Sequence, residues 1–234
     1  MRVSALVPAF NEAQNVGATI AGIRAACEPV EIIVVDDGSV DGTAIAADSA
    51  GADAVLRQAN RGKGAALAAA AAVCSGDIFL LLDADIGDSS REGGKLLAPV
   101  VAGAADMTVA VFQRTTQKGG GAGLAVRLAR WGIFRLTGVT FQAPICGQRA
   151  LTRELADCAG FASGWGVEVS LTVNALRSVF RVMEVPVDMT HRVTGRSPAA
   201  VAHRARQFFQ IALTLWRLRG SKSALFRPRR RRSS

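Results

Sequence analysis

Short, predominantly apolar segments alternate with helically spaced stretches along the first half of the chain. The apolar segments span residues 3–7, 30–35, 54–56, 78–82 and 107–112. They lack the apolar–polar alternation of a half-exposed strand, and such strands are typical of parallel sheets covered on both faces. The sequence therefore predicts an α/β fold with a mostly parallel central sheet and helices on both faces.

The net charge of +9 is concentrated at the C-terminal end of the chain. Residues 197–234 contain 10 of the 28 basic residues and no acidic residue. A nucleic-acid-binding domain would carry basic residues across its fold, so this distribution argues against a nucleic-acid partner. We expect an amphipathic helix at 197–220 and a disordered basic tail at 221–234, which could meet an anionic membrane surface.

The sequence indicates a cytoplasmic protein. Its first residues do not form a signal peptide, and the longest apolar run, 65–74, is about half the length of a membrane span. Its four cysteines lack the spacing of metal ligands and are expected to be free thiols in a reducing compartment.

Polar clusters follow three of the predicted strands. They are Pro8-Ala9-Phe10-Asn11-Glu12, Asp36-Asp37-Gly38-Ser39 and Asp83-Ala84-Asp85. The carboxyl ends of parallel strands meet at one edge of the sheet, where ligands bind in such folds. A single Asp at a strand end is more often a helix cap, but three clusters favour a site.

The Asp-x-Asp segment predicts a metal site. Asp83 and Asp85 offer hard oxygen ligands of the kind that suit Mg²⁺ or Mn²⁺, and such ions keep open positions for substrate phosphates. The segment Asn60–Gly64 adds a phosphate-binding candidate: Gly62 lets the backbone approach a ligand, and Lys63 can neutralise its charge at a helix N-terminus. The spacing is not that of a Walker loop.

Together these motifs resemble the family 2-type glycosyltransferases, which have a nucleotide-diphospho-sugar transferase fold of the glycosyltransferase A type. The similarity covers about residues 2–111 and rests on PAFNE, VVDDGSVDGT, NRGKGAAL and DAD in this order. It implies that residues 8–12 and 36–39 hold the nucleoside of a UDP- or GDP-sugar, with Asp37 on the ribose or base. It also implies that Gly62, Lys63 and Ala84 line the donor site and that Asp83 and Asp85 bind the metal.

The second half is similar to two subgroups with phosphate-bearing acceptors, the glucosyl-3-phosphoglycerate synthases and the polyprenyl-phosphate sugar transferases. The first similarity rests on GWGVE at 164–168 and His191-Arg192, and the second on the Arg-x-x-Gly-x-Ser segment at 192–197. Both imply acceptor-binding residues, namely Gly147, Arg149, Arg192 and Arg196. The first implies His191 as a third metal ligand. Surface ion pairs and a surface histidine are the alternatives.

Glu168 is the carboxylate of the acceptor half. It would act as general base if a hydroxyl acceptor reacts with inversion, and it would orient acceptor or sugar if the reaction is retaining. A polyprenyl phosphate needs no base, because its second pKa is about 6. A helix N-terminal carboxylate stabilised by the helix dipole is the structural alternative.

These observations predict one catalytic domain at 1–196, with a nucleotide-sugar half at 1–112 and an acceptor half at 113–196. Its catalytic residues would be Lys63, Asp85 and Glu168. We expect transfer to a polyprenyl phosphate at the cytoplasmic membrane face, with a soluble acceptor such as 3-phosphoglycerate as the alternative and a nucleotidyltransferase as a remote one. The apolar stretches 124–136 and 208–218 are candidate pairing surfaces for a homodimer.

Overall fold

The computed structural model describes residues 1–27, 30–113, 123–162, 164–190 and 198–220. Within these ranges the strands are β1 (Val3–Ala9), β2 (Val30–Asp36), β3 (Ala54–Arg57), β4 (Ile78–Leu81), β5 (Met107–Phe112), β6 (Arg149–Thr152) and β7 (Val182–Val187). The helices are α1 (Val16–Ala26), α2 (Thr43–Ser49), α3 (Lys63–Val73), α4 (Gly93–Val101), α5 (Leu124–Thr137), α6 (Arg153–Ala159), α7 (Val167–Arg177) and α8 (Pro198–Gly220).

The strands form one seven-stranded sheet in the order β3-β2-β1-β4-β6-β5-β7. All neighbouring pairs are parallel except those of β6, which runs antiparallel to β4 and β5. The predicted mostly parallel α/β sheet is therefore confirmed. The carboxyl ends of β1 to β4 lie at one edge, and antiparallel β6 begins at that same edge, with Arg149 opposite Leu81.

Two apolar layers cover the sheet because successive strand residues point to opposite faces. On β1, Leu6 belongs to the cluster with α3, α5, α6, α7 and α8, whereas Ala5 and Val7 belong to the cluster with α1, α2 and α4. Helices thus cover both faces, as the unbroken apolar strands predict. No disulfide forms among the four cysteines.

Helix α8 packs on the protein through one side. Ile211, Leu215 and Leu218 are buried in the core, and a Cβ on Gly132 of α5 would lie 2.3 Å from Leu215 Cδ1. The glycine thus allows α5 and α8 to cross closely. Among the described residues, no helix is both long enough and apolar enough to cross a bilayer. The predicted basic tail at 221–234 lies outside the described residues.

Candidate functional site

The loops after β1 and β2 are joined by hydrogen bonds. The Asn11 backbone N–H donates to Ser39 Oγ at 2.8 Å, and Val40 N–H donates to Asn11 Oδ1 at 3.0 Å. Asn11 has a φ of +55°, a left-handed conformation that Asn tolerates better than most residues. The first two predicted clusters therefore form one surface, with the Phe10 side chain about half exposed upon it.

Asp37 anchors the loop that leads into α3. Its Oδ1 accepts hydrogen bonds from Gln58 Nε2 at 2.6 Å and Arg61 N–H at 2.9 Å, and its Oδ2 accepts one from Gly62 N–H at 2.8 Å. The residue is 5% exposed. Asp37 therefore fixes the backbone of the candidate phosphate-binding segment, residues 60–64. Neighbouring Asp36 accepts from Ser39 N–H and lies 3.6 Å from the Arg57 guanidinium.

Lys63 lies between two carboxylates at the first turn of α3. Its Nζ is 2.6 Å from Asp83 Oδ1, at the end of β4, and 3.1 Å from Glu168 Oε1, at the start of α7. Burial alone would lower the pKa of Lys63, but Asp83 and Glu168 outweigh that effect and raise the pKa above its usual value. The ammonium therefore stays charged at any physiological pH.

The loop before β6 encloses this ion cluster. Gln148 Nε2 donates to Asp83 Oδ2 at 2.9 Å, and the Cys146 thiol donates to Gln148 Oε1. Burial raises the pKa of Cys146 to about 11, so it remains a protonated donor that orients the Gln148 amide. A Cβ on Gly147 would lie 2.1 Å from Lys63 Nζ, so the backbone touches the ammonium.

Asp83 and Asp85 fit a hard divalent cation in their donor chemistry. Both are partly exposed at the end of β4, and Ala84 between them is buried, its carbonyl accepting from Thr19 Oγ1. Each Asp83 oxygen already accepts one hydrogen bond but has a second lone pair. No group of three or more His, Cys, Asp or Glu side chains in the described ranges is arranged as a metal site.

Arg149 is held inside the protein at the start of β6. It is fully buried, donating from Nε to Cys146 O and from Nη1 to Thr172 Oγ1, both at 2.9 Å. The first residue of β6 thus points toward α7, and an acceptor-binding role of Arg149 stays a prediction. Burial lowers the pKa of Arg149, and the Glu168 charge counters this effect in part.

The Gly164-to-Gly166 turn connects the ion cluster to α8. A Cβ on Gly164 would lie 2.4 Å from Gln210 Oε1, and one on Gly166 would lie 2.0 Å from Thr214 Oγ1. On the other side, a Cβ on Gly62 would lie 3.6 Å from Gly164 Cα. Gly166, where a Cβ would collide with Thr214, therefore allows this turn to approach α8 closely, whereas the distance at Gly62 is an ordinary van der Waals contact.

Three predicted site residues, His191, Arg192 and Arg196, lie outside the described residues. Sequence reasoning missed two others that the geometry brings in, Gln58 and Gln148. Gln58 directly follows the carboxyl end of β3, and Gln148 precedes β6 at the same edge. Their place at strand ends was the available signal, because that edge collects polar side chains.

Comparison with known proteins agrees with this geometry. The profile of glycosyl transferase family 2 matches residues 4–161. The chain belongs to glycosyltransferase family 2. It is 30% identical to the polyprenol monophosphomannose synthase of Mycolicibacterium smegmatis over 94% of this chain and 88% of that protein. It is 34% identical to the glucosyl-3-phosphoglycerate synthase of the same organism, over 74% of this chain and 63% of that protein.

A solved structure is similar over nearly the whole fold. The glucosyl-3-phosphoglycerate synthase of Mycobacterium tuberculosis, in complex with Mn²⁺, UDP and phosphoglyceric acid, superposes with a TM-score of 0.79. The two chains are 26% identical, and the match covers 95% of this chain and 80% of that one. The expected glycosyltransferase A-type fold is thereby confirmed, as is the resemblance to the family.

Proposed function

We propose that the protein transfers a sugar from a nucleotide-diphosphate donor to a phosphate-bearing acceptor, with Mg²⁺ or Mn²⁺ at Asp83 and Asp85. The observation that carries the proposal is the Lys63 ammonium held between Asp83 and Glu168 at the carboxyl edge of the sheet. A fixed cation that is largely shielded from water stabilises the negative charge that develops on a departing nucleoside diphosphate.

The donor would lie across the joined loops of β1 and β2. Half-exposed Phe10 offers a ring face to the base, and the loop that Asp37 holds presents the Gly62 backbone and Lys63 toward the diphosphate. The rest of this surface comprises Pro8, Ala9, Asn11, Glu12, Asp36, Gly38 and Ser39. When bound, the divalent cation would neutralise the leaving diphosphate. The Mn²⁺ and UDP of the similar synthase support this assignment.

The position of Glu168 favours an acceptor that needs no general base. Its carboxylate is buried, forms an ion pair with Lys63 and interacts electrostatically with Arg149. Two cations therefore already compensate its charge. A base must reach the proton that it removes. A polyprenyl phosphate presents an oxygen that is already ionised, since its second pKa is about 6. Because the similarity to the polyprenol monophosphomannose synthase extends over 94% of this chain, we favour a lipid-phosphate acceptor at the cytoplasmic membrane face, with Gly147, Arg149, Arg192 and Arg196 near its phosphate.

A soluble phosphorylated acceptor such as 3-phosphoglycerate is the second candidate. The 34% identity to a glucosyl-3-phosphoglycerate synthase and the TM-score of 0.79 favour it. The chain spans 63% of that synthase. Against this candidate, the similarity to it covers 74% of this chain, whereas the similarity to the polyprenol monophosphomannose synthase covers 94%. Since a retaining synthase would also need no protein base, Glu168 does not separate these two candidates.

Calorimetric titration with UDP and with GDP, with and without Mn²⁺, tests the donor site. We expect one nucleotide to bind only when the metal is present, and Asp85→Asn to abolish that dependence. Asp88→Asn, which changes an exposed carboxylate three residues further on, is the matched control. Metal-independent binding of both nucleotides, or unchanged binding by Asp85→Asn, would contradict the metal assignment.

A transfer assay separates the acceptors. UDP-glucose, GDP-mannose, GDP-glucose and UDP-GlcNAc would each be offered with polyprenyl phosphate, with 3-phosphoglycerate and with no acceptor. We expect sugar transfer to polyprenyl phosphate from one donor. Transfer to 3-phosphoglycerate alone would replace the lipid-phosphate proposal with the second candidate.

A further inference from the structure

Helix α8 has a second apolar stripe opposite the one that packs on the core. Ile211, Leu215 and Leu218 are buried, whereas Phe209, Leu213 and Trp216 are exposed at i, i+4 and i+7 spacing. Phe209 is 70% exposed and Trp216 is 69% exposed. Large side chains at this spacing form a continuous apolar line along the outer surface of the helix.

Helix α5 continues this surface. Its Trp131 and Phe134 are each 52% exposed and line a shallow groove of about 320 Å³ together with Arg127, Arg130 and Thr140. The Arg130 guanidinium is fixed by Phe141 O at 2.9 Å and Gln142 O at 3.0 Å. The groove therefore combines aromatic side chains with a positioned cation.

The two helices meet at a cation–π contact. The Arg219 guanidinium of α8 lies 5.8 Å from the centroid of the Trp131 ring. Arg219 lies three positions after Trp216, which places both on neighbouring parts of the helix surface. The exposed aromatic residues of α5 and α8 are thus parts of one surface.

This surface is strongly basic. Neither α5 nor α8 contains an Asp or Glu. Among the arginines whose side chains are described, Arg127, Arg130 and Arg135 lie on α5, and Arg206, Arg217 and Arg219 lie on α8. A second copy of the chain seated on this face would bring like charges together, which disfavours association.

We propose that this face binds the headgroup region of an anionic lipid bilayer. We call it the aromatic–arginine face; its members are Arg127, Trp131, Phe134, Phe209, Leu213, Trp216, Arg217 and Arg219. Trp side chains concentrate at membrane–water interfaces, and arginines near the surface are attracted to anionic headgroups. Helices α5 and α8, which contain no Asp or Glu and expose Trp side chains, match that environment in both charge and polarity.

The face lies close to the proposed active site. Gln210 and Thr214 of α8 contact the turn at Gly164 and Gly166, which in turn touches Gly62 beside Lys63. About one helix diameter, roughly 10 Å, separates the apolar stripe from that turn. Bilayer binding here would bring a lipid-borne acceptor phosphate toward Lys63, a link that rests on the proposed function.

Flotation of the full chain with vesicles tests the surface without any substrate. We expect binding to vesicles of phosphatidylcholine and phosphatidylglycerol at 70:30 but not to pure phosphatidylcholine, with a blue shift of Trp emission. Replacing Trp131 and Trp216 with Ser should lower the partition coefficient about tenfold for each indole removed. Arg127→Gln and Arg217→Gln should each lower it about fivefold at low salt, a difference that is screened near 1 M salt.

Ile45→Ser on α2 and Arg91→Gln are the matched controls, because both residues are exposed and lie outside this face. Thermal unfolding confirms that each variant is folded. Unchanged partition of the Trp131→Ser/Trp216→Ser variant, or an equal loss in the controls, would overturn the proposal. The proposal would also be overturned if the wild type did not bind anionic vesicles but formed a dimer in sedimentation velocity, and the double variant did not form that dimer. Metal-dependent nucleotide binding is measured separately, so loss of vesicle binding alone leaves the transferase proposal standing.

Discussion

Replacing Lys63 by Met should destabilise the protein and should do so in a pH-dependent way. The substitution keeps the volume of the side chain but leaves Glu168, which is nearly buried, without its closest cation. Removing one partner of a buried ion pair costs about 3–5 kcal/mol. We expect the lower end, about 3 kcal/mol, because the Asp83 side chain is one third exposed and Arg149 compensates part of the Glu168 charge.

The sign of the pH dependence follows from the two carboxylates. In the wild type the pKa of Lys63 is raised, so its contribution is complete at every pH below the unfolded value of 10.5 and is lost only above it. In Lys63→Met the Glu168 carboxylate stays buried without its closest cation. The variant should therefore recover stability as the pH falls, because protonation removes a buried charge, whereas the wild type should show no such recovery.

Thermal unfolding followed by circular dichroism measures both effects. A loss of about 3 kcal/mol corresponds to a melting temperature lower by about 6–12 °C in a chain of this size. The double variant Lys63→Met/Glu168→Gln also removes the Glu168 charge and should regain at least half of the lost stability. It should have no transfer activity. A loss below about 1 kcal/mol at neutral pH, or no recovery in the double variant, would refute the ion-cluster reasoning.

Three further outcomes are expected. Gly147→Ala should lower the rate of sugar transfer at least tenfold in the transfer assay while nucleotide binding persists, since its Cβ would meet the Lys63 ammonium. Asp37→Asn should weaken metal-dependent nucleotide binding, measured by calorimetry, because a neutral amide cannot accept all three hydrogen bonds from residues 58–62. Deleting residues 222–234 should weaken flotation with anionic vesicles and leave nucleotide binding unchanged.

The donor half could be predicted from the sequence because its signals are local. Unbroken apolar strands followed by polar clusters indicate both the parallel sheet and the edge where its ligands bind. Asp83, Lys63 and Asp37 all lie at or beside strand ends, and the structure brings them to one edge. Family resemblance added the roles of these residues, which spacing alone does not give.

The geometry of the acceptor half could not be predicted from the sequence, because it depends on pairing between strands that lie far apart in the chain. Whether Arg149 faces solvent or core depends on the antiparallel register of β6 against β4, and neither its sequence neighbours nor its charge reveals that register. Gln148 becomes important only because Asp83 lies opposite. In α8, the sequence shows two apolar stripes but not which of them is buried: Ile211, Leu215 and Leu218 pack in the core, whereas Phe209, Leu213 and Trp216 are exposed.

The antiparallel insertion of β6 has a consequence for engineering. This strand comes from the second half of the chain, yet it lies between β4 and β5 and forms hydrogen bonds with both. A fragment ending near residue 112 would leave β4 with an unpaired edge, and such edges promote aggregation. Chimeras that aim to exchange acceptor specificity should therefore keep residues 146–152 with the donor half and place the junction after α6. A fragment that ends at residue 112 should therefore yield insoluble protein.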